Sequence, residues 1–247
     1  DMMSATFQSA RFAIAPRGAP GVRGIAWRAL HAVASRTIPP CLYQSRDSVF
    51  VAARSIDPER VPVLRGHRSR MATEDDIDAL CKLTRWHRPR SLHRMFRAGS
   101  ICAVAEDDNG IAACNWAFPG PGICRVDAGY KEGLRWVLAE HDAWMHNGVC
   151  RRELIHTGVY LAAYRQLLHA LRARGIRRCC GIIGESNVSS RKTHERLGLR
   201  PAAAIAYRRF VFAGRFEIRG RRRREVRWTF RKTLLLDAHE LADRGAA

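Results

Sequence analysis

The stretch Glu185-Ser-Asn-Val-Ser-Ser-Arg-Lys-Thr-His-Glu-Arg-Leu-Gly-Leu199 decides how this chain is read. It follows a short apolar run, Cys179 to Ile183, of the kind that forms a buried strand. Asn187 is a helix-capping residue type, because its side-chain oxygen accepts from a first-turn amide. Gly198 is a helix-ending type, because glycine enters the left-handed conformation without a steric penalty. The segment between predicts a short helix over Val188–Leu197. Asn187, Ser190 with Arg191, and His194 then recur one turn apart and share a face.

Working upstream, Tyr160, Leu161, Tyr164, Leu167, Leu168 and Leu171 fall on one apolar face at helical spacing. They predict a helix from Val159 to Ala173, with Arg172 and Arg174 in its last turn and Gly175 as its stop. Gly158 directly precedes this helix, and Ala143–Cys150 before it reads as a strand. A helix N-terminus presents unpaired amides and a partial positive charge, so it can hold an anion. A side-chain-free Gly158 lets a phosphate approach the backbone, and His156 and Thr157 add donors. A plain strand-to-helix turn that needs a glycine satisfies the same pattern.

The rest of the chain supplies an α/β order. Ser48–Arg54 reads as a strand and Val63–Arg70 as another. Thr73-Glu-Asp-Asp76 is a capping box whose acids suit the positive end of a helix dipole, predicting a helix over 74–85. Ser100–Ala105 and Ile111–Phe118 flank Asn109-Gly110, a strong hairpin signal. Residues 123–142 fit helix or strand. Ile176–Ile183, Ala202–Phe212 and Glu225–Leu235 read as further strands, and Leu236–Asp243 as a short terminal helix. Strands and helices in this order imply an α/β fold with a mixed sheet.

Composition narrows the function classes. The chain has 247 residues, 47% of them apolar, which suffices for a packed core. No apolar run approaches the ~18 residues of a membrane span. Eight cysteines form no C-x-x-C pair, which argues against a zinc ribbon or a disulfide scaffold and leaves reduced, buried thiols. No metal site is expected. The formal net charge of +20 points to an anionic partner: a nucleotide cofactor, nucleic acid or an acidic surface. Much of that excess lies in the flanks, 1–70 and 219–232. The Arg- and Ser-rich, acid-poor opening 1–40 has the composition of an organelle transit peptide or a basic arm.

The two motifs together resemble the acyl-CoA-binding core of the GNAT N-acetyltransferase superfamily. That family runs a strand into a loop of the form Gln/Arg-x-x-Gly-x-Gly/Ala, which cradles the CoA pyrophosphate. The matching window is Ile155-His-Thr-Gly158-Val-Tyr160. Its central glycine agrees, while Ile155 replaces the polar residue and Tyr160 the last small one. The family's second pattern is an Asn, a small residue three on, a Tyr seven on, and Gly-Phe at eleven and twelve. Here that spacing reads Asn187, Ser190, His194 and Gly198-Leu199.

The resemblance implies an α/β fold with a GNAT-like mixed, mostly antiparallel twisted sheet flanked by helices. It would span residues 63–235, with 1–62 a basic N-terminal extension and 236–247 a C-terminal tail. It implies an N-acyltransferase that moves an acyl group from acetyl-CoA, or another acyl-CoA, to an amine acceptor by direct attack. His194 stands where the family has its Tyr and would protonate the departing thiolate as imidazolium. Val149 and Cys150 amides would serve the thioester carbonyl. Arg151, His156, Thr157, Gly158, Val159, Asn187, Ser190 and Arg191 would hold the cofactor. Glu140, Asp142 and His146 are candidate bases, on one face if their strand extends back to 140. Trp116, Phe118, Trp136 and Trp144 would line an acceptor pocket or pack the core. The expected compartment is the cytoplasm, with an oligomer left open. The alternative is a GNAT-like protein without catalysis that binds nucleic acid or an acidic partner.

Overall fold

The computed structural model describes residues 43–53, 55–62, 66–84, 88–124, 134–210, 213–220, 224–230 and 234–244. The expectation for residues 1–40 lies outside them. The strands are β1 (Tyr43–Ala53), β2 (Arg68–Met71), β3 (Ile101–Asp107), β4 (Gly110–Pro119), β5 (Gly122–Cys124), β6 (Leu134–Leu138), β7 (Asp142–Cys150), β8 (Arg178–Gly184), β9 (Arg200–Phe210), β10 (Ala213–Gly220), β11 (Arg224–Phe230) and β12 (Leu234–Asp237). The helices are α1 (Ile77–Thr84), α2 (Pro89–Arg97), α3 (Val159–Ala173), α4 (Val188–Arg196) and α5 (Ala238–Arg244).

Nine strands form one sheet in the order β11-β10-β9-β1-β8-β7-β4-β3-β2. Neighbours run antiparallel except β7 and β8, which are parallel. Parallel neighbours need a crossover, and α3 provides it. The result is the mixed, mostly antiparallel sheet flanked by helices that the sequence implied.

Helix α3 forms over the residues its periodicity predicted. It buries Ala163, Tyr164, Leu167, Leu168 and Leu171 on one face of the sheet, against Val51, Ala117, Ala143, Met145 and Cys179. The opposite face carries α1 and α2 over β3 and β4. Farther along that face sits a second small sheet, β12-β6-β5, together with α5. There Trp136 stacks on Trp144 at 4.3 Å and on Phe50 at 5.2 Å. All three rings are buried, so Trp136 and Trp144 build core rather than an acceptor pocket. Trp116 is equally buried and packs against Phe96.

Parts of the two spans expected to flank the domain belong to its core. Strand β1 falls inside the span expected to be an extension, yet it sits between β8 and β9 and pairs with both. Phe50 and Val51, pointing to opposite faces, are buried on both sides, as in any central strand. Leu236, Ala238 and Leu241, in the span expected to be a tail, are also buried. The sheet therefore has no break at 62 or 235. Strand β10 was not foreseen, although Phe216 and Ile218 alternate with charged neighbours and are buried.

Phe50→Ala is expected to cost about 3–5 kcal/mol, the range for emptying a fully buried aromatic site. A urea unfolding curve measures it; an unchanged midpoint would show that β1 is not a core strand.

Candidate functional site

The site begins with a strand pair that comes apart. Strands β7 and β8 pair only from Asp142 opposite Arg178 to Met145 opposite Gly181. Beyond Met145 they separate, because β7 carries a bulge. Cys114 faces Val149 and Trp116 faces His146, so the single residue Asn115 opposes both Asn147 and Gly148. Such an insertion bends the bulged strand. Asn147 takes φ 49°, in the left-handed region that Asn tolerates better than most residues.

Asn115 holds the bulge in place. Its side chain is 2% exposed, and its Nδ2 donates to the Tyr160 carbonyl at 3.3 Å. Glycine at 148 makes room for both side chains: a Cβ there would lie 2.6 Å from Asn115 Oδ1 and 2.7 Å from the Tyr160 hydroxyl and would push them aside. The opened space between β7 and β8 encloses about 200 Å³, lined among others by His146, Gly148, Tyr160, Asn187, Ser190 and His194.

The first turn of α3 reaches this cleft at Tyr160, while His156, Thr157, Gly158 and Val159 stand beside it, outside its lining. Gly158 caps the helix at φ 86°, and the preceding His156 has φ 80°. Leu161 N–H is hydrogen-bonded to the Gly158 carbonyl at 2.8 Å, so the amides before it are those of the first turn, which a helix leaves without internal partners. Thr157 Oγ1 donates to the Leu154 carbonyl at 2.8 Å, which tightens the loop. Val159 is buried and anchors the turn. Arg151 does not reach the cleft. Its guanidinium pairs with Asp107, whose carboxyl it holds below the usual range, and its N–H donates to the Ala112 carbonyl. Its expected role at the cofactor is replaced by anchoring the loop to the β3–β4 hairpin.

Helix α4 closes the other wall. Asn187 caps it by accepting from Ser190 N–H at 3.1 Å, as the sequence implied. One turn on, His194 Nδ1 lies 2.7 Å from the Ser190 carbonyl. A carbonyl oxygen only accepts, so Nδ1 carries the proton and Nε2 is left as an acceptor. Nε2 lies 3.4 Å from the Tyr160 hydroxyl, which donates to it. Tyr164 packs edge-on against the same imidazole. Burial lowers the His194 pKa below its ordinary 6.5, with the Ser190 carbonyl opposing in part. His194 is therefore neutral at pH 7 and faces the cleft as an acceptor. The imidazolium donor that the resemblance implied is not its resting state, because a buried imidazole loses the solvation its charge needs.

The remaining candidates divide. His146 lines the cleft beside Trp116. Glu140 does not: β7 begins at Asp142, Glu140 is exposed in the turn before it, and the rise of the strand from Asp142 already spans ~13 Å to His146. Asp142 is buried and paired with Arg178 at 2.7 Å, a structural ion pair. Arg151 N–H bonds Ala112, so ladder alternation turns the backbone of Val149 toward β4 and that of Cys150 away from it. Burial raises the Cys150 thiol, which leaves it a poor nucleophile. Arg191 is half-buried in α4 and stands outside the cleft lining. Among the described residues, no group of three His, Cys, Asp or Glu side chains could hold a metal ion, and no helix is long and apolar enough to cross a membrane.

Sequence reading missed Asn115, Gly148 and Tyr160. Asn115 had one signal: a lone amide within the apolar run Ile111–Phe118, which needs a partner once buried. Tyr160 was visible as part of the apolar stripe of α3 and as a departure from a small residue, not as a group of the site.

No family model matches the sequence, and no curated protein matches it. Solved structures do. A GCN5-related N-acetyltransferase-like protein from Streptococcus suis aligns over 75% of this chain and 68% of its own, at 12% identity and a TM-score of 0.50. A GCN5-related N-acetyltransferase from Sphaerobacter thermophilus aligns over 74% of this chain and 56% of its own, at 17% identity and a TM-score of 0.50. A protein from Novosphingobium aromaticivorans ascribed to the GNAT acetyltransferases aligns over 67% and 64%, at 18% identity and a TM-score of 0.49. The chain thus spans between 56% and 68% of the length of these three. At such identities the likeness concerns the fold, and the fold is that of the GNAT superfamily.

Because the folded His194 pKa lies below 6.5, the unfolded chain takes up that proton first on acidification. The stability His194 contributes is full above pH 6.5, the unfolded value, and is lost as pH falls from there through the lower folded value. Urea midpoints are expected to drop between pH 7 and pH 5, and to drop less in His194→Gln. An equal drop in both would show that His194 is not buried as described.

Proposed function

We propose that this chain is an acyl-CoA-dependent N-acyltransferase that passes an acyl group, acetyl in the first instance, to an amine by direct attack. The opening of β7 from β8 beside the N-terminus of α3 carries this reading. A strand that has left its ladder offers backbone groups to an extended ligand. A capped helix end offers amides to a phosphate. The two features meet at one cleft, as a ligand with a phosphate at one end and a thioester at the other requires.

The residues present fit such a ligand. Gly158, Val159 and His156 would receive the pyrophosphate through the loop and first-turn amides, beside Thr157, whose own amide is bonded to the Leu154 carbonyl. The β7 backbone at Gly148 and Cys150 would face the arm and its carbonyl, where a donor aimed at a developing oxyanion is worth most. Asn187 and Ser190 form the opposing wall. The enclosed 200 Å³ is small beside the ~300–1,000 Å³ of pockets that surround a whole ligand, so the cleft would take the thioester end alone.

Attack by an amine requires a proton to leave nitrogen and one to reach sulfur. Two imidazoles, His146 and His194, line the cleft and are available for that transfer.

Thermal melting with acetyl-CoA and with CoA tests the reading. A ligand that binds only the folded chain raises the midpoint, by about 2.7 kcal/mol of stabilisation at a hundred times Kd. A rise that survives moderate salt is expected. No rise at millimolar ligand, together with a salt-sensitive rise on adding RNA or DNA, would replace the enzyme with a nucleic-acid-binding protein.

A further inference from the structure

The acyl-transfer reading leaves open how one proton travels from nitrogen to sulfur. On that reading, we infer that Tyr160 and His194 act as one proton shuttle, Tyr160 in contact with the reacting groups and His194 acting through it. The Tyr160 hydroxyl lies between the imidazole, 3.4 Å away, and the β7 bulge at Gly148. The Ser190 carbonyl fixes Nδ1–H at 2.7 Å, so only Nε2 can gain or lose a proton toward the cleft. The Tyr160 hydroxyl is the hydrogen-bond partner of that nitrogen. A proton moving between His194 and the cleft along this contact therefore passes through the phenol.

The environment favours passing a proton over storing a charge on Tyr160. Tyr160 and Tyr164 face His194 from α3, and burial holds both phenols well above their ordinary range. Behind them lie Cys114 and Cys150 on β4 and β7, and Cys179 on β8, where burial raises Cys150 and Cys179. A tyrosinate here is unfavourable, so Tyr160 must receive a proton as it gives one. As the C–N bond forms, the amine proton moves to the Tyr160 oxygen and the phenolic proton moves to His194 Nε2. As the C–S bond breaks, Nε2 returns its proton to Tyr160 and the phenol protonates the thiolate. The balance is one N–H lost and one S–H gained, with the pair unchanged. The neutral ring with its proton on Nδ1 is the form a shuttle needs at the start.

Hydroxylamine, small enough to reach the acyl carbon in any acceptor site, serves as the probe amine, with CoA release from acetyl-CoA as the readout. Tyr160→Phe, His194→Gln and the double variant are compared with His146→Gln. Each single change in the pair is expected to lower kcat ~100-fold, the low end for a lost proton-transfer group. KM for acetyl-CoA should hold and the double variant should be no slower than either single. Wild-type kcat is expected to rise with pH through a limb below 6.5 that His194→Gln lacks. In ¹⁵N-histidine NMR of the full chain, Tyr160→Phe is expected to move the His194 Nε2 resonance and spare Nδ1. Wild-type turnover in Tyr160→Phe, or a limb that survives in His194→Gln and vanishes in His146→Gln, would overturn the shuttle. So would a chain that binds acetyl-CoA and releases no CoA. A wild-type chain with no acetyl-CoA melting shift would instead remove the acyltransferase reading on which the shuttle rests.

Discussion

One hydrogen bond organises the site: the buried Asn115 amide donating to the Tyr160 carbonyl. It ties the middle of β4 to the first turn of α3, across the point where β7 bulges. The bulge opens the sheet, the opening makes the cleft, and the tie holds the helix end at the cleft's mouth. Removing the amide would leave a buried carbonyl without that partner and the bulge without its filler, and both costs fall at one place. The close approach at Gly148 belongs to the same device, since only a residue without a Cβ lets the phenol of Tyr160 lie there.

The cleft is electrically unlike the rest of the molecule. The chain carries a formal +20, but among the described residues the cleft is lined by no Lys, Arg, Asp or Glu, and its ionisable groups are the phenols of Tyr160 and Tyr164 and the imidazoles of His146 and His194. Charge is instead managed at the periphery. Arg70 bridges Asp76 and Glu106, joining the start of the α1 region to β3, and holds both carboxyls below their usual range. Arg151 does the same for the loop before α3 by pairing with Asp107. Low-dielectric surroundings strengthen a hydrogen bond made inside them. They also penalise a lasting charge, which favours proton transfer in concert.

The frame around the cleft is stiff because both of its walls are central. β8 is flanked by β7 and β1, and β1 in turn by β9. The aromatic stack of Phe50, Trp136 and Trp144 ties β1, β6 and β7 across two sheets. The opening of β7 from β8 is thus a local feature of a closely paired sheet, set by one inserted residue.

Local patterns carried much of the sequence reading, and they held where the cause was local. The bounds of α3 follow from its apolar stripe, and Asn187 caps α4 because an amide side chain next to a helix start has one good partner in reach. The β3–β4 hairpin follows from Asn109-Gly110 in the same way. Elements with weaker local signals were lost. Helix α2 buries little beyond Leu92 among many arginines, and β10 hides its alternating Phe216 and Ile218 among charges. The motif spacing placed Asn187, Ser190 and His194 on one wall, but could say nothing of their charge states. Those depend on burial by residues far along the chain. The bulge depends on how many residues the neighbouring strand sets opposite β7, and the partnership of Tyr160 with His194 depends on two helices meeting. A sequence determines where a side chain sits along its own element. Which groups meet across elements, and whether water reaches them, was decided only when the sheet closed around them.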